Sequence, residues 1–555
     1  MARQPLCDGL FWRVEPILFR TPLALLVLSL SAIVAAWLWM ATPVSLARAP
    51  IDPADKLECV SYAPFRADQS PLDPTTQIPS EQIEQDLAQL ATISKCVRTY
   101  SIENGLDQVP GLAAKVGLKV MQGIWLGSTR YKNQQQIAAA VALARDYPGV
   151  ITSLIVGNEV LLRGEMTAAD LVANIRLVKS QVGTLPVTYA DVWEFWLKNR
   201  ELYDAVDFVT IHILPYWEDF PVRAKFAASH VDSIRKRVAV AFPDKEILIG
   251  ETGWPSAGRM RDSALPSRAN QARVVSEILS LAKSENFRVN LIEAYDQPWK
   301  RALEGTVGGY WGLIDAGARA LKYPAGIAVS NFPKWKWQMS AGLVLCVATF
   351  GVAMLTLRRR PWSPRLASWI AVALSATAAG ILIGVAQDRM MVESYGAGGW
   401  LRWGALLLAA VMAPLIGAHA LMAGQSTPTF VEVFGPPEMR TRSWSSVVLT
   451  LLLLVVTLIA AETALGFVFD PRYRDFPFAG LTVAVLPFAA LTLLNRPTVG
   501  SRPIAESVFA GLLVIAGIYT ACNESETNWQ SLWTCAVYAI LGLTLWQARV
   551  AQSPE

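Results

Sequence analysis

Residues 247–256 read ILIGETGWPS. Ile247, Leu248 and Ile249 are apolar without alternation, the pattern of a strand covered on both faces in a parallel sheet. Gly250 breaks the run, and a carboxylate, Glu251, follows it beside Thr252, Gly253 and Trp254. A buried strand that ends on a glutamate invites a search for its partners. Runs of the same character are LECVSY (57–62), KCVRTY (95–100), LKVMQGIW (118–125), ITSLIVG (151–157), PVTYA (186–190), VDFVTIHI (206–213) and RVNLIEAY (288–295), with EILIG (246–250) seventh in order. Helical patterns lie between them. Thr167-Ala-Ala-Asp170 has the form of a capping box, and Leu171, Ile175, Val178 and Val182 follow at helical spacing. Eight such strands alternating with helices over residues 57–325 predict an α/β fold, a (β/α)8 TIM barrel, for which ~250 residues suffice. A doubly wound open sheet shares the alternation, and the count of eight favours the closed barrel.

Chemistry in such a barrel sits at the C-terminal ends of the strands. Those ends carry Tyr62, Arg98 and Tyr100, Trp125, Asn158 and Glu159, Tyr189 and Asp191, His212 and Tyr216, Glu251, and Glu293 and Tyr295. Glu159 and Glu251 end the fourth and seventh strands and can face each other across the barrel mouth. Glycosidic cleavage needs such a pair: one carboxyl group protonates the leaving oxygen, and the other attacks the anomeric carbon or activates water. A separation of ~5–5.5 Å gives retention and ~6.5–9.5 Å gives inversion. A single strand-end glutamate is more often a structural acceptor of N–H groups. Here each follows a buried strand and a glycine, Gly157 or Gly250, which permits close approach of the backbone to a sugar. Aromatic rings suited to stacking on sugar faces are Trp125, Trp193, Trp196, Tyr216, Trp217, Trp254, Tyr295, Trp299 and Trp311. The chain has three histidines, none paired at ligand spacing, so no metal site is expected. Cys59 and Cys96 fall on neighbouring strands; an oxidising compartment would allow a disulfide, and two buried thiols is the preferred expectation.

The whole chain is too apolar for an ordinary soluble protein: 555 residues, 53% hydrophobic, 17% charged, with a mean hydropathy of +0.33. Its expected division is a cytoplasmic N-terminus (1–21), a transmembrane helix (22–42), a linker (43–56), the barrel (57–325), a second linker (326–336), about seven transmembrane helices (337–547) and a cytoplasmic tail (548–555). The later spans are expected near 337–357, 366–386, 400–423, 446–467, 477–494, 506–522 and 529–547. Of these, 506–522 is short, with Glu506 at its edge. With the N-terminus inside, the inner segments hold Arg3, Arg13, Arg20, Arg358, Arg359, Arg360, Arg365, Arg440, Arg442, Arg496, Arg502 and Arg549. The outer loops hold Arg389, Arg402, Arg472 and Arg474. Twelve against four is a positive-inside bias that puts the barrel outside the inner leaflet, in the periplasm of a bacterial cell. Trp37, Trp39, Trp335 and Trp337 sit where interfacial anchors belong. The loop arginines more than account for the net charge of +4, so no basic patch remains for nucleic acid.

VGNEV (156–160), IGETGWPS (249–256) and EAYDQPWKRALEGTVGGYWGL (293–313) resemble, in that order, the motifs of glycoside hydrolase family 17, the β-1,3-glucanase and glucanosyltransferase family. The resemblance covers nearly all of residues 57–325. It implies a retaining mechanism, with Glu159 as general acid/base, Glu251 as nucleophile and Asn158 on the sugar 2-hydroxyl. It further implies that Glu293, Asp296 and Lys300 organise charge around the nucleophile or bind sugar. Tyr62, Arg98, Tyr100, Trp125, Tyr189, His212, Tyr216, Trp254 and Trp299 complete the candidate substrate-binding set, and no cofactor is expected. The segment IHILPYW (211–217) departs from the plant members and is nearer the fungal and bacterial branch.

Family members are commonly secreted, whereas this chain carries about eight apolar helices. That arrangement resembles the rhizobial membrane proteins of periplasmic cyclic β-(1→3),(1→6)-glucan synthesis. It implies a membrane-anchored retaining transglycosylase that takes β-1,3-glucan and introduces β-1,6 linkages, with a separate β-1,3-glucan synthase as partner and the bacterial inner membrane as location. A periplasmic endo-β-1,3-glucanase shares every catalytic residue and is the alternative, followed by a non-catalytic glucan-binding or export partner. A nucleotide-sugar-dependent synthase is disfavoured, because the chain has no QxxRW motif and no domain-sized cytoplasmic loop.

Overall fold

The structure, a computed structural model, describes residues 15–549 apart from 67, 324–325, 359–363, 442 and 496–499. Arg3, Arg13, Arg359, Arg360, Arg442 and Arg496, used in the orientation argument, lie outside the described residues. The chain divides into two compact units, Pro43–Asn331 and a second made of Met1–Thr42 with Phe332–Glu555.

In the first unit eight parallel strands close on themselves: β1 (Cys59–Ser61), β2 (Cys96–Arg98), β3 (Lys119–Ile124), β4 (Ile151–Asn158), β5 (Val187–Val192), β6 (Val209–His212), β7 (Ile247–Thr252) and β8 (Val289–Leu291). The β1–β8 pairing, Val60 opposite Leu291, completes the barrel. Every expected strand is present, and several are shorter than the apolar pattern, two of them for a visible reason. The run 206–213 yields only Val209–His212, because the Asp207 carboxylate takes the Val187 N–H at 2.7 Å before the ladder begins. The run 288–295 yields Val289–Leu291, because the Glu293 and Ala294 N–H groups turn to Trp311 and Ser61 carbonyls.

The helices between strands bury one face each against the barrel. Helix Ala168–Val182 places Leu171, Ile175 and Val178 there, and Thr167 Oγ1 accepts the Asp170 N–H as the capping pattern requires, a cap that contributes about 1 kcal/mol. Inside the barrel one layer is apolar, built from Cys59, Cys96, Met121, Ile155, Ala190, Phe208 and Leu248, contributed by β1 to β5, the residue ahead of β6, and β7. Toward the strand ends the interior turns polar: Ser61, Arg98, His212 and Asn290 are each at most 1% exposed. The expectation of free thiols is corrected. Cys59 and Cys96 are disulfide-bonded, since both begin adjacent parallel strands and point into the same interior layer, with Cα atoms 4.3 Å apart. The two segments expected as linkers also pair, Val44–Ser45 antiparallel to Ala328–Val329.

The second unit is helical: Glu15–Ala41, Trp335–Leu357, Leu366–Glu393, Gly396–Met422, Trp444–Phe469, Phe478–Leu494, Ile504–Asn523 and Trp529–Gln547. Among the described residues six helices are long and apolar enough, by length and composition, to cross a membrane, including Ile504–Asn523, which is longer than the sequence pattern implied. Two helices expected as spans are not among the six: Phe478–Leu494, at 17 residues, falls short of that length, and Trp529–Gln547 is long enough but less apolar. Close helix crossings use small residues, as membrane helices do. A Cβ on Gly342 would lie 2.0 Å from the Gly380 carbonyl oxygen. Trp39 and Trp337 are 80% and 81% exposed, as anchors would be, but Trp37 is buried, its ring edge-on to Phe332 and its N–H on Gly380 O.

Candidate active site

The end of β4 forces the first catalytic candidate into the barrel mouth. Gly157 takes φ +90°, and Glu159 itself takes φ +53°, a left-handed conformation that costs a non-glycine residue of order 1–3 kcal/mol. Surrounding contacts hold it there. The Glu159 N–H donates to Ala190 O at 2.8 Å, Tyr189 Oη accepts the Leu161 N–H at 3.0 Å, and Asp191 Oδ2 accepts the Leu162 N–H at 3.4 Å. Tyr189 also donates its hydroxyl proton to Asp191. Burial pushes the Asp191 carboxyl up to about 6. Arg163, missed by the sequence reading, donates to Asn158 O, to Leu126 O (2.8 Å) and to Glu165 (2.8 Å), and its guanidinium stacks 4.3 Å over Trp125.

Glu251 stands on β7, 5% exposed, and its Oε1 accepts from Arg98 Nη1 (3.2 Å) and the Tyr100 hydroxyl (2.8 Å). Arg98 is fixed in turn: Nη1 donates to Gly250 O (2.7 Å) and Nη2 to Asn158 Oδ1 (2.5 Å). Asn290, also missed, donates to Gly250 O (2.6 Å) and to Ser61 Oγ (2.8 Å), which lies 2.8 Å from the Tyr100 hydroxyl. His212 on β6 joins the two carboxylates, with Nδ1 2.8 Å from Glu159 Oε1 and Nε2 3.6 Å from Glu251 Oε1. One donor atom from each of Glu159, His212 and Glu251 lies within 4.8 Å of the others. Such a trio could hold a cation, but the Arg98 guanidinium, in contact with Glu251 and His212, already supplies positive charge there. Burial raises the proton affinity of Glu159, and His212, by hydrogen bond and electrostatically, with the Arg98 and Arg163 charges outweighs it, holding the carboxyl below its ordinary range.

Residues 59–312 match the BtgE/BtgC glycoside hydrolase domain. The chain is 27% identical over 262 residues to a glucan 1,3-β-glucosidase of Candida albicans, covering 43% of this chain and 84% of the relative. It is 25% identical over 262 residues to the glucan 1,3-β-glucosidase of Saccharomyces cerevisiae, covering 43% and 83%. Among solved structures it is similar to an active-site mutant of the Rhizomucor miehei β-1,3-glucanosyltransferase in complex with laminaritriose, at 24% identity and a TM-score of 0.44, over 49% of this chain and 97% of that one.

The other expected site residues divide into two groups. Asn158, Arg98, Tyr100 and His212 gather around the two glutamates, and Trp125, 39% exposed, opens to solvent beside Arg163. Trp299 is half-buried, its N–H on Gln297. Lys300 Nζ lies 3.0 Å from both oxygens of Glu293. Burial pushes Glu293 up to about 7 despite Lys300. The remaining expectations are corrected. Tyr62, Tyr189, Tyr216 and Trp254 have no exposed surface, and their polar atoms are committed to Asp86, Asp191, Arg259 O and Leu265 O, so they pack the walls rather than present open rings. Asp296 is buried on Lys322 (2.6 Å), which also holds Ser256 (2.6 Å) and so ties the loops after β7 and β8 together. Burial pushes Asp296 up to about 6. Gly250 serves packing rather than sugar approach: a Cβ there would lie 2.4 Å from Thr210 Cγ2 and 3.2 Å from the His212 ring.

Proposed function

We propose that the barrel is a retaining β-1,3-glucan-active enzyme and, more finely, a glucanosyltransferase that introduces β-1,6 linkages while periplasmic, cyclic β-(1→3),(1→6)-glucan is made. The observation that carries the reading is that one carboxylate oxygen of Glu159 and one of Glu251 lie within 4.8 Å of each other, which supports the short separation of a retaining pair. In the first step Glu159 protonates the glycosidic oxygen as the bond to the anomeric carbon breaks, and Glu251 forms a glycosyl ester. Arg98 and Tyr100 orient Glu251 and later stabilise it as a leaving carboxylate. In the second step Glu159 takes a proton from the acceptor hydroxyl as that oxygen displaces Glu251. A sugar over Glu159 excludes the remaining water from a side chain that is 24% exposed, which raises its proton affinity when an acid is needed.

The anchoring supports transfer, because an enzyme held beside a separate β-1,3-glucan synthase meets nascent chains as both donor and acceptor. The apolar helices and the disulfide in the barrel support an inner-membrane protein with its barrel in the oxidising periplasm. Hydrolysis is the second reading, favoured by the glucosidase names of the curated relatives. Mass spectrometry and linkage analysis of products from the full chain incubated with β-1,3-oligosaccharides separate the two. Lengthened products containing β-1,6 bonds are expected, and shorter products alone at every donor concentration would overturn the transferase reading.

A further inference from the structure

His212 ends β6 with no exposed surface. Its Nδ1 meets Glu159 Oε1 at 2.8 Å, and its Nε2 lies 3.4 Å from both Nη1 and Nη2 of Arg98. A guanidinium only donates hydrogen bonds and stays protonated at every working pH. Nε2 can therefore face it only with a lone pair, which puts the ring proton on Nδ1, where it is donated to Glu159. Arg98 cannot turn away, because Gly250 O and Asn158 Oδ1 hold its two terminal nitrogens. An imidazolium would aim a second N–H at those donors. The one carboxylate near Nε2, Glu251 Oε1 at 3.6 Å, is beyond a hydrogen bond and already accepts from Arg98 and Tyr100.

We propose that His212 is a positioning residue, locked by Arg98 as the neutral Nδ1–H form, so that the mobile proton of the catalytic pair is confined to Glu159 and never stored on the imidazole. The Nδ1 proton stays in place throughout. In the glycosylation step the Glu159 O–H bond breaks and the proton leaves with the aglycone; in the second step the acceptor O–H breaks and its proton returns to Glu159, whose carboxylate the Nδ1–H stabilises between the two. Other charges facing this pair are Arg98 and Arg163, which favour the ionised Glu159, and Asp191 and Glu251, which oppose it. The kinetic part of the inference rests on the retaining reading, and the tautomer does not.

Two measurements on the full chain in detergent test it. The chain has three histidines, so 15N-histidine labelling gives few signals, and His212→Asn assigns its own. The expected spectrum, taken at the pH of the activity assay, shows a protonated Nδ1 and a bare Nε2. A proton on Nε2, or on both nitrogens, under those conditions overturns the proposal. In the pH profile of kcat/KM on a β-1,3-oligosaccharide, His212→Ala should move the alkaline limb upward by about one unit. His212→Asn, whose Nδ2 stands where Nδ1 was, should recover most of that shift. A limb unmoved or lowered in His212→Ala, with circular dichroism matching the parent, overturns the proposal; should the alanine variant not fold, the asparagine profile and the spectrum decide. If the unaltered chain turns over no β-1,3-glucan while the spectrum shows the Nδ1–H form, the function fails and the tautomer lock stands.

Discussion

The two glutamates are alike in chemistry and differ in what donates to them. Glu251 accepts from a guanidinium and a phenol, which together fix one of its oxygens. Glu251→Gln removes the nucleophile while keeping the shape, so turnover should fall by about a thousandfold or more with oligosaccharide binding still measurable by calorimetry. Undiminished turnover in that variant would refute the assignment. Glu159→Gln should be milder on donors with an activated aryl leaving group, which needs no proton, than on β-1,3-glucan; equal losses on both would remove Glu159 from the acid role. That the two glutamates approach each other was legible in the sequence because each interrupts an apolar strand end. Asn290 carried a similar signal, a lone amide within RVNLIEAY, and marks the support beneath Gly250 O. Arg163 carried none, since its role depends on a turn that folds it back over Trp125. Tyr62, Tyr216 and Trp254 misled because a ring near a strand end reads the same whether it faces the mouth or the wall.

At the scale of elements, the loop after β4 is the part most dependent on others. Tyr189 and Asp191 of β5 grip its backbone at Leu161 and Leu162, and so hold the left-handed Glu159. Tyr189→Phe should lower kcat by about ten- to a hundredfold with little change in KM, since the acid/base is displaced while the sugar contacts remain. A change confined to KM would show that the clamp serves binding instead. The β8 end sets a pH dependence. Glu293 is raised by burial from an ordinary 4.5 to about 7, so the folded state holds its proton more tightly than the unfolded state. Its contribution is complete below about pH 4.5 and is lost as pH rises through about 7. The urea midpoint of the parent should therefore fall relative to Glu293→Gln between those values, and parallel profiles would contradict it. The strand ends were poorly legible for a related reason: apolar runs mark what is buried, and the ladder stops where a side chain such as Asp207 takes a backbone N–H. The disulfide was not the preferred expectation because the sequence places Cys59 and Cys96 on neighbouring strands without reporting that they stand side by side in register and face the same interior layer. Replacing both by serine should cost about 2–4 kcal/mol of barrel stability, read from the denaturation midpoint.

At the scale of the molecule, the barrel was legible because its strands are uniformly apolar, and the helical unit because its runs are long. The shorter helices were harder, as length and hydropathy diverge there: Phe478–Leu494 is apolar but has 17 residues. Orientation follows from counting the crossings. With the N-terminus inside and every expected span crossing, the helix Ile504–Asn523 runs outward, and its C-terminal end emerges on the periplasmic face. Cys522 lies at that end and is exposed, whereas Cys346 is buried and Cys59 and Cys96 are bonded to each other. A membrane-impermeant thiol reagent applied to spheroplasts should therefore label the chain, and Cys522→Ser should remove most of the label. If Phe478–Leu494 does not cross, the count loses one span and Cys522 returns to the cytoplasmic face. Label would then appear only after the membrane is permeabilised, and the seven-span reading of residues 337–547 would fall while the barrel's own placement, set by the first helix, would stand.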